Sequence, residues 1–581
     1  MNLRRLPWSW IFVGGFVATV YVTGLLGFHR YYTVFHPDST VSWLDKAYFT
    51  GQLFTIESGS VKGPLPWSLE IARFLAPVAA AFALLNAILT SFSFQISRLW
   101  LRVVGRHIIV GGLGEKGSLL VKELLQKHRH VVVIEPDMGN PDLGECRRLG
   151  ALIITARSDD KNQLRRACVR SAAELIATSG NDSANLETAS IAKELCASRG
   201  DRFKKLRCIV HVSDPALQQA LKQRDPFAGQ TKISLEVVNI LQTGARVMLD
   251  RSGVFENLPG PGETRKLLLL GIGKFGMALL NRILREWAIL RAERAETSPV
   301  GDLLITLAEM RACGKEAAIR SKMEPLLEGV SLRFIDADVR VAKEVPTDGL
   351  DAAFVCFNDD ELATLAALRL EESGANVPVF IRMAESAGFS SLFRDNSFQE
   401  EGESRTSRHC TCCAVGLGDV TGMLELFLNG DEEVLARAFH AAYLAERREK
   451  IEALAEDSAL VRWERLNESN RVSNRTAAKG LPERLRAAGL SMIPSSDKPV
   501  TLIDLTEEEV SRLAEHEHQR WCLDRKAQGF RYGPKKDPIA KIHPLLRPWD
   551  ELSPEDQASN LADSRRLPFV VARADFELVR K

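Results

Sequence analysis

"RHIIVGGLGEKGSLLVKELLQKHRHVVVIEPD", residues 106–137, decides how most of this chain folds. An apolar run ends at Val110. Gly112-x-Gly114-x-x-Gly117 then opens an amphipathic stretch, and a second apolar run, Val131 to Ile134, ends on Glu135. Strand, glycine turn, helix, strand and terminal acid together make a βαβ unit for dinucleotides. The glycines permit a tight turn, close backbone approach to a pyrophosphate and close helix–sheet contact. The helix N-terminus offers amide hydrogens and a positive dipole end to phosphate. Glu135 lies where an acid would bond ribose hydroxyls, and Asp182 belongs to the same candidate cofactor site.

The pattern returns downstream. "RKLLLLGIGKFGMALLNRIL" places Gly271-x-Gly273-x-x-Gly276 after Leu267 to Leu270. "GNDSANLETASIA" from Gly180 corresponds to "FNDDELATLAALRL" from Phe357, and "CIVHVSD" from Cys208 to "VFIRMAE" from Val379. A whole domain is therefore duplicated. In the second copy Ala308 aligns with Glu135 and Glu309 stands one position off, which in a strand points to the opposite face. Nucleotide binding is expected of the first copy, with Gly271, Gly273 and Gly276 as a secondary site.

Before the first copy lie two apolar runs. Trp8 to Phe28 is charge-free and long enough to span the roughly 30 Å hydrocarbon core of a bilayer. It has no small-residue cleavage site, unlike a signal peptide. Ile71 to Phe94 is a second candidate whose one charge is Arg73. Arg4 and Arg5 precede the first run, and Arg98, Arg102 and Arg106 follow the second, so both termini are expected in the cytoplasm of a plasma (inner) membrane protein. Trp43 to Phe54 has helical spacing and the length of a re-entrant half-helix. After it come Thr55, Ile56, Glu57, Ser58 and Gly59. These residues fall where a tetrameric potassium-channel pore, which this arrangement resembles, carries Thr-Val-Gly-Tyr-Gly. Glu57 replaces the family's first glycine, and four copies would set a carboxylate ring around the axis instead of a carbonyl ladder. An outside loop with an exposed glutamate is the alternative.

Residues 106 to about 250 resemble an RCK domain, the regulator of potassium conductance, through "IIVGGLGEKG", "VVVIEPD", "LRRACVRSAAELIATSGNDSANL" and "EVVNILQTGARVMLD". The likeness extends to about Phe398. It implies NAD or adenine-nucleotide binding, and assembly as a ring serving a pore, here a homotetramer. Ala156-Arg157 replaces the family's usual Gly-Asp, and His211 stands where an arginine is frequent.

Residues 433–581 resemble the ryanodine receptor repeat domain through "EHEHQRW", "GFRYG", "IHPLLRPWDELS", "AFHAAYL" and "RVSNRTAA". The resemblance implies a receptor for a small nucleotide-like ligand. Trp521, Tyr532 and Trp549 suit stacking on a base, and Arg520, Arg525, Lys535 and His543 suit phosphate oxygens. The same aromatics would equally serve as the core of a small domain.

Lys+Arg 76 against Asp+Glu 75 argues against a nucleic-acid partner. Ten cysteines without paired spacing read as reduced thiols. His409, Cys410, Cys412 and Cys413 offer metal-ligand chemistry, yet four within five residues surround one ion poorly. Pro534 breaks the single Tyr-x-x-x-Lys, Tyr532 to Lys536, and no acid–base group flanks either glycine loop, so an enzyme is not expected.

The expected architecture is a membrane α-helical domain (1–97, two spans plus a re-entrant pore helix), then two α/β Rossmann-like domains (98–262 and 263–400). A linker (401–432) and a mainly α C-terminal domain (433–581) follow. The expected activity is a ligand-gated cation channel, the alternatives being a non-conducting membrane-anchored nucleotide sensor or a regulatory subunit of a potassium transporter.

Overall fold

The computed structural model describes residues 8–55, 61, 63–91, 99, 101–295, 299–341, 347, 349–372, 377–383, 412–416, 421–447, 461–495, 500–535, 537 and 539–580. The chain divides into two units, Met1–Gly105 and Arg106–Lys581.

In the first unit, helix Trp8–Arg30 with the π-helical turn Tyr31–Phe35 that continues it, and helix Trp67–Ser91, contain segments long and apolar enough to cross a membrane, Phe12–Phe35 and Trp67–Ile88. Only 28% and 17% of those windows are buried, so neither is the core helix of a globular domain. Small residues let the two helices approach closely: a Cβ on Gly27 would lie 2.8 Å from the Leu69 backbone, and Ala72, Ala76 and Ala79 are buried alongside. Phe12, Leu26, Phe74 and Leu84 point outward.

The short helix expected between them forms as Trp43–Gln52, followed by a 3₁₀ turn, Leu53–Thr55. Ser42 and Asp45 close a reciprocal capping box at its start. The Tyr21 hydroxyl donates to the Ala47 carbonyl at 3.1 Å, tying this helix to the first long one. Of the filter candidates, Thr55 ends the turn, while Ile56, Glu57, Ser58 and Gly59 lie outside the described residues.

The second unit contains two six-stranded parallel sheets. Strands β1 (Ile108–Gly111), β2 (Val131–Ile134), β3 (Leu152–Ile154), β4 (Glu174–Ala177), β5 (Leu206–His211) and β6 (Ile233–Val238) lie in the order β3-β2-β1-β4-β5-β6. Strands β7 (Thr264–Leu270), β8 (Asp302–Glu309), β9 (Val330–Asp336), β10 (Ala352–Val355), β11 (Val379–Met383) and β12 (Cys412–Gly416) repeat that order. The doubly wound topology reverses strand order beside the first strand, which opens a ligand crevice at the strand ends. Unbroken apolar runs such as Val131–Ile134 and Leu267–Leu270 are buried on both faces, as parallel sheets covered by helices require.

The strand Cys412–Gly416 corrects the expected linker at 401–432. It pairs in parallel with β11, Val379 opposite Cys412 through Met383 opposite Gly416, and so completes the second sheet. The next helical segment, Thr421–Arg447, crosses the expected boundary at 432/433 and kinks at Gly430, whose φ is 53°. Four polar or sulfur side chains in sequence masked this strand, because its apolar content is only Ala414 and Val415.

The two lobes share packing. Helix Ile240–Ser252, which leaves β6, sends Leu241, Ala245, Met248 and Leu249 into the core built around Trp287 of helix Lys274–Arg294. Trp287 is fully buried there, a burial of about 3 kcal/mol for a side chain of that size.

The C-terminal region packs helices Glu468–Ala487, Glu507–Ala527 and Leu567–Arg573 with the end of Thr421–Arg447 around Leu481, Leu485, Leu513, Val571 and Trp463. An antiparallel pair, β13 (Leu490–Pro494) and β16 (Phe576–Arg580), seals it. Strands β14 (Arg531–Tyr532) and β15 (Ile542–His543) form a small parallel ladder. Ser553 caps helix Pro554–Arg565 with proline at its first position, as its sequence dictates.

Candidate functional site

In the first lobe the glycine loop leaves β1 with Gly112 at φ 98°, a left-handed conformation that also avoids Ser179, whose backbone nitrogen would lie 2.8 Å from a Cβ. At Gly117 a Cβ would sit 2.0 Å from the Gly112 carbonyl oxygen, so helix and turn can approach this closely only with glycine there. Gly114 differs: nothing lies within 4 Å of a Cβ built on it. It is the N-cap of helix Glu115–Gln126, and no side chain caps that helix. Four other helices of the lobe are capped by Asp160, Asn181, Asp214 and Asn239, while the short helix Leu143–Arg148 also lacks a side-chain cap. At Gly114 the open amides stand beside an open space, the arrangement that suits a phosphate.

Glu135 is buried and turned toward this loop. Its Oε2 accepts the Leu113 N–H at 2.5 Å and its Oε1 accepts the Asp137 N–H at 3.0 Å. In this geometry the carboxylate braces the glycine turn rather than standing open at the strand end. Asp182 is likewise engaged, accepting the N–H of Ser213 at 2.9 and 3.0 Å and that of Asp214 at 3.2 Å. It ties the start of helix Asp182–Cys196 to the end of β5.

Asn185, Asn140 and Lys116, not singled out in sequence, complete the site together with His211. Asn185, fully buried, accepts the Ser179 N–H at 2.9 Å and donates to the carbonyls of Ser179 and His211. The Asn140 amide donates to the Leu113 carbonyl at 2.8 Å. The Lys116 ammonium, on the first turn of the glycine-loop helix, meets His211 Nε2 at 3.0 Å. Burial, then the Lys116 charge, depress His211 to about 4, so the ring is neutral at pH 7. The only sequence cue for these side chains was spacing from the glycine loop, and spacing does not specify orientation.

The second lobe repeats the brace. Gly271 donates its N–H to the Ala308 carbonyl as Gly112 does to Ile134, so Ala308 is the counterpart of Ile134 and Glu309 that of Glu135. Glu309 Oε2 accepts the Ile272 N–H at 2.6 Å. The expectation that Glu309 faces the wrong side is therefore corrected: Glu309 itself, not Ala308, is the counterpart of Glu135. Two differences remain. Phe357 stands where Ser179 stands, its ring 3.0 Å from a Cβ on Gly271, and Lys315 pairs with Glu309. Gly273, the N-cap of helix Lys274–Arg294, is as open and as free of a side-chain cap as Gly114, and Gly276 repeats the close approach.

In the C-terminal region, Trp521, His543, Trp549 and Arg525 converge. His518, buried, lies between Trp521 and Trp549 at ring distances of 6.0 and 5.8 Å, and Trp521 meets His543 edge-on at 4.9 Å. Arg525 stacks over Trp521 at 5.9 Å and over Phe530 at 5.3 Å. Arg520 does not join them: its guanidinium is held by Glu517 at 2.6 and 3.0 Å. Tyr532 is exposed on β14, beneath Arg547 at 5.7 Å, and Lys535 is exposed. The aromatics here chiefly pack on one another.

Among the described residues no group of three or more His, Cys, Asp or Glu is placed to hold a metal. His409 and Cys410 lie outside the described residues, and Cys412 and Cys413 are on β12.

The fold and glycine loops define tandem nucleotide-type Rossmann lobes joined on one chain to a helical module. Residues 108–232 match the TrkA-N domain family and residues 494–572 the RyR domain family, so the chain carries one of each. Among solved structures it is similar to GsuK bound to ADP, with 14% identity over 72% of this chain and 96% of that one and a TM-score of 0.37. The GsuK channel bound to NAD matches at 12% identity over 83% and 85%, TM-score 0.37. The human SLO3 gating ring matches at 9% identity over 59% and 84%, TM-score 0.36. Superposition at that level fixes neither assembly nor ligand.

Proposed function

We propose that this chain is a ligand-gated cation channel of the plasma (inner) membrane, a homotetramer whose cytoplasmic body binds an adenine nucleotide or NAD through the first lobe. The observation that supports it most is the uncapped start of helix Glu115–Gln126 beside Gly114, within a TrkA-N domain whose chain also bears two apolar helices. When bound, the nucleotide supplies phosphate charge to those amides and to Lys116. The reading assigns no catalytic step to any residue. The second lobe and the Trp521–His543–Trp549 group are secondary candidates for a nucleotide-like ligand.

Gating follows from differential affinity. A tenfold preference for one state is worth about 1.4 kcal/mol per site, and four sites shift a gate by roughly 5–6 kcal/mol. Glu57, as a ring of four, would favour cations without the potassium discrimination of a carbonyl filter. Reconstituted protein should pass nucleotide-dependent cation current, and Glu57→Gln should alter permeability. Absence of current with ADP, ATP or NAD, in a preparation that crosslinks to four chains, would favour the non-conducting sensor or transporter subunit.

A further inference from the structure

Away from both glycine loops, a cavity of about 100 Å³ lies where the first lobe, the second lobe and the C-terminal region meet. Lys222, Arg246, Arg282 and Arg285 line it, and Asp575 is the carboxylate among its lining residues. The three arginine side chains are 7–9% exposed, whereas Asp575 is 48% exposed. Arg246 pairs with Asp575, and Arg282 Nη1 and Arg285 Nε approach its Oδ1 at 3.3 and 3.5 Å.

We propose that this cavity is an anion site for a phosphate group of a small soluble ligand, and that Asp575 occupies it as an internal competitor. Three nearly buried guanidiniums have given up most of their water; Asp575 shares one negative charge among all three, while Glu286 bonds only Arg282 of the three and Asp250 acts on Arg246 and Arg282 from a distance. A phosphate brings up to two, with oxygens in the geometry that guanidinium forks match. Other acids nearby bond single members of the basic set or Arg573, and none spans the three guanidiniums as Asp575 does. Glu286 bonds Arg282 at 2.8 Å and Arg573 at 2.7 Å, Glu293 bonds Arg573 at 2.7 Å, and Asp431 pairs with Lys222 at 3.0 Å. The Arg285 Nη2 donates to Ser495 Oγ at 2.7 Å, and that hydroxyl bonds Glu577 at 2.9 Å.

The position gives such a ligand leverage. Arg246 belongs to helix Ile240–Ser252, Arg282 and Arg285 to helix Lys274–Arg294, and Asp575 to the turn between helix Leu567–Arg573 and β16. An anion that displaces Asp575 keeps the two lobe helices together while removing one tie on the C-terminal turn; the donations of Arg246 and Arg282 to the Arg573 carbonyl are another.

Titrating the full-length chain in detergent with inorganic pyrophosphate, at constant ionic strength, tests this by calorimetry. Saturable binding is expected, weakened at least about tenfold by Arg282→Gln or Arg285→Gln. Asp575→Asn should tighten it about fivefold or more, since the competing charge is gone and asparagine tolerates the φ of 64° at this position. Each titration is made on chains that also carry Gly114→Asp and Gly273→Asp, which closes both glycine loops to the probe and leaves this cavity as the site that is read. If Asp575→Asn melts like the parent yet does not bind more tightly, or if the chain carrying only Gly114→Asp and Gly273→Asp shows no binding, the proposal is wrong. Should the arginine variants misfold, Asp575→Asn decides alone.

Discussion

Glu309 occupies in the second lobe the place that Glu135 occupies in the first, each carboxylate accepting the amide hydrogen that follows the first glycine of its loop. Two nucleotide-fold lobes thus brace their turns identically, although only Lys315 pairs with the acid of the second.

Removing either acid should orphan a buried N–H, a cost of about 1–3 kcal/mol. Glu135→Ala and Glu309→Ala are expected to speed native-state hydrogen exchange at Leu113 and Ile272 respectively by roughly tenfold or more. Glu309→Gln keeps an acceptor oxygen and should change the Ile272 rate far less. Equal exchange in all variants would remove the bracing role.

The glycines of the first loop should divide by function. Gly117→Ala forces a Cβ to within 2.0 Å of the Gly112 oxygen and should destabilise the lobe by about 3 kcal/mol or more. Gly114→Asp meets open space and an ordinary backbone, φ −65°, so the melting temperature should hold. The aspartate would cap the helix and place a negative charge where phosphate is expected, and ADP or NAD binding by calorimetry should disappear.

Two buried histidines make the first lobe acid-sensitive. Burial is the main cause that depresses His107 and His211 to about 4. Between pH 6.5 and 4 the unfolded chain binds the extra protons, so stability is full above about 6.5 and falls as pH drops through that window, by up to about 3 kcal/mol per ring. Thermal unfolding from pH 7.5 to 4.5 should show the loss, and the double variant His107→Gln, His211→Gln should flatten it.

Docking of the C-terminal region should depend on Arg573. Its guanidinium, 9% exposed, bonds Glu286 and Glu293 of helix Lys274–Arg294, both at 2.7 Å. Attraction from those acids outweighs burial and raises the Arg573 pKa. Arg573→Met strands Glu293 and leaves Glu286 to Arg282 alone, at a cost of about 3–5 kcal/mol. Native-state hydrogen exchange in helix Leu567–Arg573 and in β16 should then be faster than in the parent. An apolar partner supplied by Glu293→Leu, with Glu286 left on Arg282, should recover part of the protection.

Much of this was legible because parallel strands announce themselves: Ile108–Val110 and Leu267–Leu270 are continuous apolar runs, and the glycine spacing sits directly after each. Strand β12 was not, because Cys412 and Cys413 beside a polar run carry no such signal. The alignment of Glu309 failed for a related reason, since strand register is set by hydrogen bonds and not by the letters flanking a loop. In the C-terminal region, Trp521 and His543 do meet, but Arg520 turns to Glu517, a choice of ion-pair partner three residues away that sequence leaves open.

The sixth strand of the second sheet has a consequence for synthesis. About 30 residues separate the end of β11 from Cys412, so a ribosome adding about 5–20 residues per second needs roughly 1–6 s between them. Throughout that interval β11 emerges with one edge unpaired, exposed to neighbouring nascent chains. Co-translational chaperones, or early contact among sister copies on one polysome, would find their opening there.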